Sequence, residues 1–294
     1  MQIGVVFPQT EIGADPAVVR AYAAAVEELG YRHILAFDHV VGADRTVHSG
    51  FEGPYDVDST FHEPFVLFGY LAAITSLELV TGVLILPQRQ TVLVAKQAAQ
   101  VDLLTQGRFR LGVGLGWNRV EYEALGKDFG DRGRRLTEQV LLLRRLWTQR
   151  SVTYHGDHES VTGVGIAPPP VQRPIPVWIG ANSEPAFRRA GRLADGWFPQ
   201  MQPGPKLDDA VAAVRAGAEA VGRDPATLGM EGRVQLRWGV DETAEQVRAW
   251  REAGATHVSV DTMRLVPGEV AGLDRHLAAL TALADAVSLP RRPT

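Results

Sequence analysis

The chain has 294 residues, room for two small domains or one large α/β barrel, and at 45% apolar and 22% charged it can bury a sizeable core. Thirty Lys and Arg against 34 Asp and Glu leave a net charge of −4 with no basic run, which excludes a binder of the nucleic-acid backbone. Cysteine is absent, which removes disulfide scaffolds, thiol nucleophiles, iron–sulfur ligation and Cys-based zinc sites together.

The chain begins MQIGVVFPQT, without a charged leader before an apolar stretch, and no apolar run approaches the ~20 residues that span a bilayer. A soluble, cytoplasmic protein with no membrane partner is expected. A first strand is predicted over 2–7. Asp15 then offers an N-cap ahead of Pro16, and Val18, Val19, Tyr22, Val26 and Leu29 recur on one helix face. Gly30 can adopt the left-handed conformation that stops a helix, and a second strand follows over 33–37. Further strands are predicted over 78–86, 109–113, 175–179, 195–198, 230–238 and 257–261, separated by helical patterns such as Leu93, Val94, Gln97, Val101 and Leu104. Helix, glycine and buried strand recur in EELGYRHILAFD (27–38), LTQGRFRLGVG (104–114) and REAGATHVSVD (251–261). Thr243 with Gln246 reads as a capping box that opens the helix before the last of these. Eight β/α units with equivalent ends predict a (β/α)₈ TIM barrel with extended loops at the C-terminal face, in one domain over 1–294. An open doubly wound sheet with a second domain is the alternative.

Three segments exceed what a barrel needs. Residues 39–62 form a polar, glycine-rich connection after the second strand, long enough to read as a lid. Residues 150–175 read as an inserted β excursion ending in the proline run PPPVQRPIP (168–176), and 199–206 follow the sixth strand. Together these three are expected to wall a pocket over the strand ends.

Several residues in these positions can carry chemistry. GVGLGWN (112–118) is not a dinucleotide fingerprint, because Trp117 stands where G-x-G-x-x-G needs its last glycine. Its glycines permit either a flat ligand close to the backbone or a tight strand-to-helix turn. Asp38-His39 directly follows the second strand, where an imidazole can exchange a proton with a ligand or merely cap a loop. Gly180, Ala181 and Ser183 lead into a helix whose N-terminus could seat a phosphate, although Ser183 also reads as an ordinary N-cap. No histidine spacing frames a metal site, and none is expected. Phe51, Tyr55, Phe61, Trp117, Trp178, Trp197 and Met201 are candidates for an apolar pocket wall, or for ordinary packing. Arg237, Asp261 and Arg264 could meet a polar substrate or cofactor tail, or form surface ion pairs.

Ordered motifs along nearly the whole chain resemble the bacterial luciferase-like family of flavin- and deazaflavin-dependent oxidoreductases. They are FDH (37–39), EP (63–64), LVTGVLILPQR (79–89), AKQAAQVDLLTQGRFRLGVGLGWNRVEYEALG (95–126) and PVWIGANSEPAFRRAGRLADGW (176–197). The sequence is most similar to the actinobacterial-type members that use coenzyme F420. The resemblance implies a barrel holding F420, or alternatively FMN, at the strand C-termini. It implies that His39 lies beside the redox face of the ring, with Asp38 at the cofactor edge. It further implies a non-proline cis peptide at Gly82–Val83 behind the ring, and a phosphate turn at Gly180, Ala181 and Ser183. Sugar-phosphate dehydrogenases of the family carry a catalytic glutamate where Trp117 stands, so such an oxidation is not expected, and Trp117 and Asn118 are expected to border the cofactor pocket. The implied reaction is hydride transfer between F420 and a small organic substrate. The alternatives are an FMN-dependent monooxygenase served by a separate flavin reductase, and a barrel that binds the cofactor without turnover. Barrel helices of this kind could also pair two copies into a homodimer.

Overall fold

The computed structural model describes residues 1–266 and 268–291, so the expected range 1–294 runs slightly past the described residues. In chain order the strands are β1 (Gln2–Val6), β2 (His33–Ala36), β3 (Glu78–Thr81), β4 (Leu84–Ile85), β5 (Phe109–Gly114) and β6 (Val152–His155). β7 (Ser160–Val164), β8 (Val177–Ala181), β9 (Gly196–Pro199), β10 (Gly229–Gln235) and β11 (His257–Asp261) complete the set. The helices are α1 (Pro16–Glu28), α2 (Pro64–Leu71), α3 (Thr91–Leu104), α4 (Arg119–Ala124), α5 (Arg132–Thr148), α6 (Glu184–Leu193), α7 (Pro205–Glu219), α8 (Val240–Glu252) and α9 (Leu273–Ala286). The ring runs β1-β2-β3-β5-β8-β9-β10-β11 and returns to β1, with β3–β5 pairing joining the two halves and every barrel pair parallel. β4 continues the third strand beside β5, so the structure is an eight-stranded (β/α)₈ barrel. Closure leaves no sheet edge of the kind an open doubly wound sheet would present.

Local chemistry sets the element ends. Asp15 Oδ1 accepts from Ala17 N at 2.8 Å with Pro16 in the first turn of α1. Asp15→Ala should therefore cost about 1 kcal/mol, read as a fall of roughly 2–4 °C in the melting temperature. Gly30, Gly107 and Gly254 adopt φ of 90°, 82° and 84°, so the recurring glycine does stop α1, α3 and α8 in the left-handed region.

Four expectations shift. The third strand is interrupted at Gly82–Val83, whose peptide bond is cis, and β4 ends in a 3₁₀ turn at Leu86–Gln88. The fifth starts at Val177 rather than 175, because Pro174 and Pro176 have no N–H to give the ladder. The seventh ends at Gln235, and Leu236–Trp238 turn into Gly239 at φ 96°. Thr243 is no cap: it lies inside α8, where Oγ1 donates to Gly239 O at 2.6 Å, and the helix begins after Gly239.

Inside the barrel lies a polar layer that the apolar strand patterns did not announce. Arg110 of β5 donates to Glu231 Oε2 of β10 at 2.6 Å and to Glu78 Oε2 at 3.0 Å, with its guanidinium 4.1 Å from the Trp178 ring centre. His33 Nε2 lies 3.0 Å from Glu231 Oε1 and 2.9 Å from Ser259 Oγ, which itself donates to Glu231 Oε1 at 2.5 Å. Gly4 makes room for this layer, since a Cβ there would stand 2.3 Å from the His33 ring. Above it pack Val6, Leu35, Val80 and Phe198, which floor the open end. No helix among the described residues is long and apolar enough to cross a membrane.

Candidate active site

A cavity of about 450 Å³ opens over the C-terminal ends of the barrel strands. It is lined by the end of β2, the Gly82–Val83 bulge, the ends of β5, β8 and β9, the middle of β10, and Pro54 and Tyr55 of the 39–62 connection. The structure thereby brings together Asp38, His39, Gly82, Val83, Trp117, Gly180 and Ala181. Asn118 and Ser183 do not line this cavity. Asn118 is buried at the start of α4, where its side-chain oxygen accepts from Val120 N and Glu121 N. Ser183 is exposed at the N-cap of α6 and caps no backbone N–H with its hydroxyl.

Glycines shape the cavity where the sequence allowed two readings. A Cβ on Gly114 would stand 2.4 Å from Val83 Cγ2, and one on Gly82 would stand 2.2 Å from Leu35 Cδ2. The glycines of β5 therefore let the bulge lie against the strand, in addition to forming the turn into α4. A Cβ on Gly180 would come within 3.2 Å of Val83 Cγ1, so the bulge and the end of β8 face each other across a gap that a side chain would narrow. Just beyond, Asn182 and Ala186 line the cavity and bring the first turn of α6 to its edge.

His39 stands in an aromatic enclosure, with ring centres of Phe61, Tyr55 and Trp117 at 4.6, 5.1 and 5.6 Å. Among the described residues neither ring nitrogen makes a hydrogen bond, and Nδ1 lies 3.8 Å from Glu121 Oε1. Burial lowers the affinity of the imidazole for a second proton, and the carboxylates of Glu121 and Asp38 oppose that only in part. His39 is thus neutral at pH 7, with one nitrogen able to accept and the other to donate a hydrogen bond.

Asp38 plays a holding role within the cavity wall. Its Oδ2 accepts from Ile85 N at 2.9 Å and its Oδ1 from Arg89 Nη2 at 2.8 Å, while Arg89 Nη1 reaches Glu63 Oε1 at 3.1 Å. Glu63 in turn caps α2 by accepting from Val66 N at 2.8 Å. The separated motifs FDH, EP and LILPQR meet in this ion-pair chain, which ties the strand beyond the bulge to the residue preceding His39.

Sequence reasoning missed Glu121. It occupies the third position after the Asn118 cap, where a capping-box glutamate would turn back to its own helix. Instead Oε1 accepts from Val40 N at 2.5 Å and Oε2 from Gln88 Nε2 at 3.0 Å, which fixes the backbone just after His39.

The aromatic candidates divide. Phe51 packs on Trp117 at 5.8 Å between ring centres, and with Tyr55 and Phe61 forms the wall over His39. Gly53 permits this closeness, since a Cβ there would lie 2.3 Å from Trp117 Cζ3. Arg45 holds the connection in shape through Asp56 at 2.6 Å and the carbonyls of Phe51 and Gly53. Trp178 is buried beneath, over Arg110, while Trp197 faces Phe187 of α6 and Met201 packs against the core. None of 150–175 lines the cavity: the antiparallel β6–β7 hairpin lies beside α3 and α5, held by Thr91 to Glu159 at 2.6 Å and His158 N to Glu138 at 2.9 Å. Of the 199–206 segment, Pro199 and Gln200 line the cavity. Asp261 is buried at the end of β11, whereas Arg237 and Arg264 are exposed.

The family model for luciferase-like monooxygenases matches residues 1–285. The chain belongs to the luciferase-like monooxygenase family. Among relatives of this family member is an F420-dependent hydroxymycolic acid dehydrogenase of Mycobacterium tuberculosis, 32% identical over 263 residues, covering 86% of this chain and 68% of that one. An FMNH₂-dependent dimethylsulfone monooxygenase of Pseudomonas putida is 30% identical over 203 residues, covering 68% of this chain and 54% of that one. The coenzyme F420-dependent tetrahydromethanopterin reductase from Methanopyrus kandleri superposes with a TM-score of 0.76 at 14% identity, covering 99% of each chain, which shows the shared barrel.

Proposed function

We propose that this luciferase-like protein is an oxidoreductase that transfers a hydride between coenzyme F420 and a small organic substrate, with His39 as the residue that handles the substrate proton. The observation that carries this reading is the juxtaposition in one cavity of the glycine-cleared Gly82–Val83 bulge, the Gly180 end of β8 and a hydrogen-bond-free His39. The cavity has the volume and the mixed lining typical of a small-molecule site. The N-terminus of α6 follows Gly180 and Ala181 closely, and among the described residues the backbone N–H groups of Ser183 and Glu184 have no partner, which suits a phosphate. Similarity to an F420-dependent dehydrogenase over 86% of the chain supports the choice of cofactor.

When bound, F420 supplies a ring carbon that accepts or releases a hydride. The chain does the rest. The bulge would back the ring, Asp38 and Arg89 keep the bulge in register, and the 39–62 connection would exclude water above His39. Neutral His39 takes the hydroxyl proton as an alcohol is oxidised, and in the reverse direction the protonated ring returns it to the oxygen of the carbonyl being reduced.

Titration of the purified protein with F420 and with FMN, followed by their fluorescence, tests the reading: F420 is expected to bind more tightly. Similarity to an FMNH₂-dependent monooxygenase supports the rival, which preferred binding of FMN would favour. Gly180→Val is expected to weaken cofactor binding at least tenfold with the circular dichroism spectrum unchanged, because its side chain fills the gap facing Val83. Unaltered affinity in that variant would place the ring elsewhere.

A further inference from the structure

We infer that Arg233 is an anion anchor, and that the substrate of the proposed reaction is a small organic acid with an apolar body. Along β10 the side chains alternate. A Cβ on Gly232 would point outward to the Trp250 ring of α8, at 2.3 Å, so Glu231 and Arg233 on either side point into the barrel, and both line the cavity. Glu231 is consumed by Arg110, His33 and Ser259. Arg233 is different: its guanidinium makes no hydrogen bond or ion pair among the described residues, and it lies over the Phe37 ring, 5.5 Å from the centre.

The other charges nearby do not satisfy it. Asp261 is buried close enough to feel Arg233, yet forms no ion pair with it, and its Oδ1 accepts from Met263 N at 2.9 Å. Glu11 is taken up by the backbone N–H of Arg264 at 2.7 Å and by His276 at 3.3 Å. A half-buried guanidinium that lines the cavity with its donors unspent is available to a ligand, and a carboxylate matches its fork.

Position around the ring fits the substrate rather than the ring support. The third and seventh strands are separated by three strands in either direction, so Arg233 on β10 faces the Gly82–Val83 bulge across the mouth of the barrel. A flat ring resting on the bulge turns its free side toward Arg233. Between them, Phe37, Tyr55, Trp117 and Phe198 offer apolar surface, and His39 stands at the rim. A molecule whose anion sits on Arg233 and whose body lies among these rings would present an intermediate carbon beside His39.

This placement rests on the hydride-transfer reading, and the test separates the two. F420-loaded protein is titrated calorimetrically with benzoate and with the neutral isostere benzamide, while F420 affinity is measured on its own by fluorescence. Should F420 fail to bind, the proposed function falls, and the same pair of titrations on the cofactor-free protein still decides the role of Arg233. Benzoate is expected to bind at least tenfold more tightly than benzamide. Arg233→Met should abolish that preference, Arg233→Lys should restore part of it, and F420 affinity should change less than threefold in both. Thermal melts of the two variants establish that they are folded, and Arg233→Gln substitutes if the methionine variant is not. Equal binding of the two probes, no binding of either, or a preference that persists in Arg233→Met would overturn the inference. So would loss of F420 affinity in Arg233→Met, which would assign the guanidinium to the cofactor.

Discussion

His39→Ala is expected to slow turnover about 100-fold or more, the range for loss of a positioned acid–base group, while the dissociation constant for the cofactor changes only a few-fold. The asymmetry follows from geometry. His39 projects from the rim of β2 with neither ring nitrogen hydrogen-bonded among the described residues, whereas the bulge and the end of β8 that would hold the ring are built from other residues. Steady-state kinetics beside a fluorescence titration measures both quantities, and equal turnover in the variant would remove His39 from the mechanism. The pH profile adds a signed test. Burial places the imidazole below its ordinary 6.5, so kcat/KM for alcohol oxidation should be level through neutrality and fall only as acid protonates His39 below that value. Glu121 raises the proton affinity of His39, so Glu121→Gln should move the acid limb to still lower pH. A limb that moved upward would contradict the assignment.

The second large effect concerns stability. Arg110→Met leaves the Glu231 carboxylate inside the barrel without its main cation, and breaking a buried pair from one side costs about 3–5 kcal/mol. With total stabilities of about 5–15 kcal/mol, the variant should melt at least ~10 °C lower or fail to fold. The paired replacement Arg110→Met with Glu231→Leu should recover much of the loss, because the uncompensated charge goes with it. Burial alone would raise the Glu231 carboxyl, but Arg110 first and then His33 hold it well below the usual carboxylate range. A depressed folded pKa means that this contribution is full above about pH 4.3, the unfolded value, and fades as pH falls further. In Arg110→Met the carboxyl is raised instead and takes up a proton on acidification. The stability gap between the two proteins should therefore be widest near neutrality and narrow toward pH 4. A gap independent of pH in thermal melts would show that Glu231 is not the group left uncompensated.

The fold was legible because its signals are local and repeated. Buried strands, amphipathic helices and the stopping glycines Gly30, Gly107 and Gly254 each act over a few residues, and the same helix, glycine and strand order near both ends of the chain points to a closed ring. The errors were also local: prolines at 174 and 176 trimmed the start of β8, and Gly239 rather than Thr243 set the start of α8. Within the site, His39, Gly82, Val83 and Gly180 could be placed because they adjoin strand ends, which a barrel gathers at one mouth. Ser183 and Asn118 stand just as near in sequence but lie outside the main cavity: Ser183 is exposed at the start of α6, and the Asn118 side chain is spent on capping α4.

Sequence by itself determined the barrel, the family and the rim on which the cavity opens, because periodicity and motif are properties of adjacent residues. Only the tertiary structure decided which charges are spent and which are free. Asp38, Arg89 and Glu63 neutralise one another from three elements, Arg110 and Glu231 meet across the barrel, and Glu121 reaches the backbone beside His39. Arg233, in the same cavity, has no ion-pair partner among the described residues. The availability of a charge depends on partners brought close from distant parts of the chain, and spacing along the chain carries no record of those distances.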